Sequence, residues 1–71
     1  MIQPIKLASQ IEQSKDFKQL LLANYIEHSN GVTMQQYAES EKKLLLLGTY
    51  GVEDFQISVS SYIDFLDDII D

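Results

Sequence analysis

Residues 52–71, VEDFQISVSSYIDFLDDIID, decide what kind of fold this chain can adopt. Val52, Phe55, Val59, Tyr62, Leu66 and Ile69 recur at spacings of three and four, the a/d pattern of an amphipathic helix, with Ile63 and Ile70 beside it. Advancing about 100° per residue, Glu53, Ser60, Asp64, Asp67, Asp68 and Asp71 fall on the opposite side, and only Ile57 is misplaced. A competing reading makes Phe55, Ile57 and Val59, alternating with Gln56, Ser58 and Ser60, a short strand, followed by a helix that Ser61 opens with Asp64 in capping-box spacing. That version explains Ile57 and the serines, which are weak inside helices. A lone strand has no mate elsewhere in the chain, so the continuous helix is preferred.

Working back from this segment, Thr33 and Gln36 have capping-box spacing, and Val32 is placed to staple against Tyr37. The helix they open carries Met34, Tyr37, Ala38, Leu44 and Leu45, with Glu39 supported by Lys42 and Lys43, and should end near Gly48 or Gly51. Four consecutive leucines, 44–47, present apolar groups all round and predict contacts on more than one side. Asn30-Gly31 reads as the left-handed stop of the preceding helix, since no alternating strands flank it to make a hairpin.

That preceding helix has Ser14 as a candidate cap, Asp16 in its first turn, and Phe17, Leu20, Leu21 and Tyr25 on one face. Leu22, Ala23 and Ile26 widen the face and predict a central position. Whether Ser14 breaks the chain or lies within a longer helix stays open. A first short helix over 4–13 follows from Pro4, whose missing N–H costs nothing in a first turn, and from Ile5, Ala8 and Ile11. The expected fold is all-α, a compact single-domain bundle of three to four short helices ending in an acidic amphipathic one. With 71 residues the core is near the lower limit for independent folding, so the heptad face serves either the core or a homodimer.

Charge is unevenly placed. In residues 1–43 five acids (Glu12, Asp16, Glu27, Glu39, Glu41) balance five lysines, whereas residues 44–71 hold six acids and no base and so carry the whole net charge of −6. Arginine is absent, which removes the bidentate fork used for phosphate and guanine. A hydrophobic fraction of 45% is too high for disorder. The absence of cysteine removes a disulfide framework and a thiolate zinc site, and suits a reducing, cytoplasmic setting. The longest apolar run, 44–47, is far short of a membrane span of about 20 residues, and no export signal is legible.

Groups for catalysis are few: one histidine, His28, and no glycine-rich phosphate loop. His28 is expected to serve the end of its helix. The aspartates at 64, 67, 68 and 71 lack the flexible loop that calcium needs. Neither an enzyme, a metal site nor a cofactor is expected.

Gly51, Val52, Ile57 and Ser58 resemble the turn of DNA-binding helix-turn-helix units in spacing. The resemblance spans about eight residues and places Leu47 where a small residue is usual. It also puts Glu53 and Asp54 at the head of the recognition helix, where carboxylates repel phosphate. Direct nucleic-acid binding is therefore not expected.

The acidic terminus remains. Its acids have no lysine within the segment, and Asp67, Asp68 and Asp71 sit where the helix dipole disfavours negative charge. A basic partner would relieve both penalties and be steered in electrostatically. The expectation is an interaction module, a small inhibitor or modulator covering a basic surface of a larger, nucleic-acid-binding protein through Glu53, Asp54, Asp64, Asp67, Asp68 and Asp71. Such a stripe can imitate a row of phosphates, and phages and mobile elements often carry antagonists of this size and acidity. The alternatives are a dimeric helix-turn-helix-like regulator and a structural subunit of an assembly.

Overall fold

A computed structural model describes residues 3–48 and 56–71. The expectations for Gly51, Val52, Glu53, Asp54 and Phe55 lie outside the described residues. Four helices are present, α1 (Pro4–Gln13), α2 (Phe17–His28), α3 (Met34–Gly48) and α4 (Gln56–Ile70), and the fold is all-α. The radius of gyration is 11.0 Å, the size of a folded chain of this length. No described helix is long and apolar enough to cross a membrane.

α1 begins on Pro4 and ends where Ser14 turns extended, its N–H donating to the carbonyls of Gln10 and Ile11. Ser14 therefore breaks the chain. The buried stripe is Leu7, Ala8 and Ile11; Ile5, expected on that face, is 63% exposed because it points away from the arc those three share. Asp16, not Ser14, caps α2: its Oδ1 accepts from the N–H groups of Lys18 at 3.0 Å and Gln19 at 3.3 Å. Ser14 holds the cap, its Oγ accepting from the Asp16 N–H at 3.3 Å and donating to the Asp16 carbonyl at 3.0 Å. Asp16→Ala is expected to cost about 1 kcal/mol in urea unfolding, with a smaller loss for Ser14→Ala; the reverse order would contradict the assignment.

α2 is peripheral, contrary to expectation. It buries only Leu21 and Asn24, while Leu22, Ala23 and Ile26 lie on the side opposite Phe17 and Leu21 and face outward. A polar link also holds it, from the Asn24 amide N–H2 to Gln10 Oε1 at 3.2 Å. The helix stops as predicted: Asn30 (φ 48°) and Gly31 (φ 87°) are left-handed, and a Cβ at Gly31 would meet no neighbour, so conformation alone calls for glycine there.

α3 opens on the predicted capping box, with the Gln36 N–H donating to Thr33 Oγ1 at 3.1 Å and the Thr33 N–H to Gln36 Oε1 at 3.2 Å. Tyr37, Ala38, Glu41 and Leu45 are buried. Of the four leucines only Leu45 is fully enclosed; Leu44 is half-buried and lines the space towards α2, while Leu46 and Leu47 are 46% and 78% exposed. At the far end α1 approaches closely, and a Cβ on Gly48 would collide with the Pro4 ring.

α4 is one uninterrupted helix from Gln56, which excludes the strand over its described residues. Val59, Tyr62 and Leu66 enter the core and Ile69 packs against it half-buried, so the described part of the heptad face is used inside the chain. α3 and α4 form the main pair, with α1 packed on both. The ring of Phe17, at the start of α2, meets Tyr62 edge-on at 5.3 Å. Ile57, which a helix-turn-helix lock would bury, is 86% exposed.

Candidate functional site

The C-terminal acids divide into two kinds. Asp64, Asp68 and Asp71 are exposed at i, i+4 and i+7, and among the described residues no base pairs with them. Asp67 is half-buried and accepts a hydrogen bond from Lys42 Nζ at 2.5 Å, which ties α4 to α3. The expectation that the stripe lacks any base is corrected at this position, because the base comes from another helix. Lys42 forms no ion pair with Glu39. The hydrogen bond to Asp67 is the main reason the Lys42 pKa is raised; attraction to Asp67, Asp71 and Glu39 adds to it, against some desolvation.

A second site escaped sequence reasoning. Glu41 is 1% exposed, enclosed between α3 and α4. Its Oε2 accepts a hydrogen bond from the Tyr62 hydroxyl at 2.5 Å, and its Oε1, equally buried, has no hydrogen-bond partner. Burial is the leading influence and pushes the carboxyl up to about 7; the hydroxyls of Tyr62 and, secondarily, Tyr37 favour the ionised form and hold the rise in check. Only Tyr62 makes a hydrogen bond of good geometry to it. Tyr62 and Tyr37 are both raised above the ordinary phenol value, by burial first and then by the Glu41 charge. A signal for Glu41 existed: it lies at i+3 from Ala38 and i−4 from Leu45, on the stripe that faces the core.

Glu41 also lines a cavity of about 410 Å³ between the end of α2 and the middle of α3. Leu7, Tyr37 and Leu44 supply apolar surface there, and Glu27 and His28 stand at the end of α2. His28 is the last residue of that helix, and its Nε2 lies 3.7 Å from Glu27 Oε2. A carboxyl poised near 7 can hold or release a proton at neutral pH, but neither His28 nor Glu27 hydrogen-bonds to it. Among the described residues no three His, Asp or Glu side chains are placed to hold a metal ion.

The chain matches no family model, no curated protein and no solved structure. The reading of function therefore rests on geometry and charge.

Proposed function

We propose that the chain is a non-catalytic interaction module, a small inhibitor or modulator acting in the cytoplasm, that covers the basic surface of a larger nucleic-acid-binding protein. The observation that carries this reading is the unpaired, exposed stripe of Asp64, Asp68 and Asp71. Three like charges on one side of one helix repel each other in the free protein and gain from a cationic partner. Successive turns set them about 5.4 Å apart along the axis, a spacing able to stand in for a run of phosphates. Asp67 serves the fold through Lys42 and is left out of the binding set.

Host proteins retained on immobilised DNA at low salt provide the test. Adding the wild-type chain should release a specific protein, with an effect that fades as salt rises. The triple variant Asp64→Lys, Asp68→Lys, Asp71→Lys should release none while keeping its helical circular-dichroism signal. Release by the folded variant equal to that by wild type, or no release by wild type, would refute the proposal.

A further inference from the structure

We infer that Asn30 is a site of self-modification in the folded protein: the Gly31 nitrogen attacks the Asn30 side-chain amide, ammonia leaves, and water opens the resulting ring to aspartate or isoaspartate. The inference does not rest on the acidic stripe of α4.

The chain has two asparagines, Asn24 and Asn30, and the fold treats them oppositely. Asn24 is 5% exposed inside α2, its amide is tied to Gln10, and the bulky Tyr25 follows it. Helical backbone there keeps the next nitrogen turned away from the side chain. Asn30 is exposed in the turn between α2 and α3, and Gly31, with no Cβ to hinder approach, follows it. Among the described residues neither the Asn30 side chain nor the Gly31 N–H makes a hydrogen bond.

For the two groups to meet, the backbone must rotate out of its left-handed state at Asn30, where φ is 48°. Little holds that state. The Val32 N–H donates to the Ser29 carbonyl at 3.0 Å and closes the turn, and the Tyr25 hydroxyl donates to the Val32 carbonyl at 2.7 Å. A left-handed backbone is itself uphill for a residue with a side chain. The turn also ends α2, which fully buries only Leu21 and Asn24, so its opening leaves the rest folded.

The step needs only water. Solvent hydroxide removes the Gly31 amide proton, the nitrogen bonds to Asn30 Cγ, and the Cγ–Nδ2 bond breaks to release ammonia, which takes its proton from water. Water then adds across one of the two ring C–N bonds. Opening at Cγ restores the main chain and leaves aspartate, whereas opening at the main-chain carbonyl leaves isoaspartate, with the chain one methylene longer. Either product places a new negative charge three residues from Glu27, beyond the C-terminal end of α2, where the helix dipole disfavours it.

The full chain held folded at pH 8 in water labelled with oxygen-18, beside a sample unfolded in guanidinium chloride, tests the site. Peptide mass spectrometry should find Asn30 converted, with a single oxygen-18 gained, at a rate within about tenfold of the unfolded chain. In the folded sample Asn24 should convert at least about tenfold more slowly than Asn30. Slower conversion of Asn30 than that would mean that the turn stays closed, and would overturn the inference. Conversion of Asn24 and Asn30 at one common rate in the folded sample would overturn it too, because only global unfolding exposes both.

Discussion

Between pH 5 and pH 8 the protein is expected to lose about 2.5 kcal/mol of unfolding free energy through Glu41 alone. The carboxyl titrates at about 7 in the folded state against an ordinary value of 4.5. Below 4.5 both states hold the proton and the contribution is complete. As pH rises the unfolded chain releases its proton first, and the folded state is penalised until its own group ionises near 7. For a domain of this length total stability is roughly 4–10 kcal/mol, so the loss is a large share of it. Urea midpoints measured across this range should fall for wild type and stay nearly level for Glu41→Gln, which keeps an acceptor for Tyr62 and cannot ionise. A wild-type midpoint that holds or rises from pH 5 to 8 would place Glu41 in a solvated environment, against the structure.

The four leucines of α3 supply the second large effect. Leu45→Ala should destabilise by about 2–5 kcal/mol, the cost of emptying a fully enclosed leucine site in a core. Leu47→Ala, one-fifth buried, should stay within about 0.5 kcal/mol. The same substitution two residues apart therefore separates a chain near unfolding from one close to wild type. Urea unfolding at pH 5, where Glu41 is protonated, gives the cleanest comparison. Equal losses at the two positions would mean that α3 is rotated from its described orientation.

What the sequence revealed well was what neighbours in the chain decide. The Thr33–Gln36 box, the Asn30–Gly31 stop and the first helix from Pro4 each rest on groups within a few residues, and they appear where expected. The continuous α4 was legible because a repeat of threes and fours outweighs one misplaced Ile57. Choosing between Ser14 and Asp16 was harder, since both can cap and only the path of the backbone separates them. Periodicity could not pick Leu45 out of four successive leucines, nor show that Ile26 faces away from the core. The polar interior was the least legible part. Glu41 meets Tyr62 21 residues away, and Lys42 meets Asp67 25 residues away, separations at which no local spacing rule operates. A charged residue on a core stripe is ordinarily assigned to solvent, and here that assumption concealed the buried carboxyl. The exposed acids at 64, 68 and 71 stand where the helical reading put them, while Asp67 was lost to the fold.

The thin attachment of α2 bears on the buried carboxyl. A helix that fully buries only one leucine and one asparagine, with Phe17, Leu20 and Tyr25 half-buried against the core, is expected to open locally at lower free energy than the α3–α4 pair, so its amides should exchange with solvent through openings that leave the rest folded. The last turn of α2 is also one side of the cavity that Glu41 lines. Each such opening wets the carboxyl, and ionised Glu41 gains more from that hydration than protonated Glu41 does. The open form of α2 is therefore expected to gain population as pH rises through the range in which Glu41 ionises, which the pH dependence of exchange at the α2 amides would show.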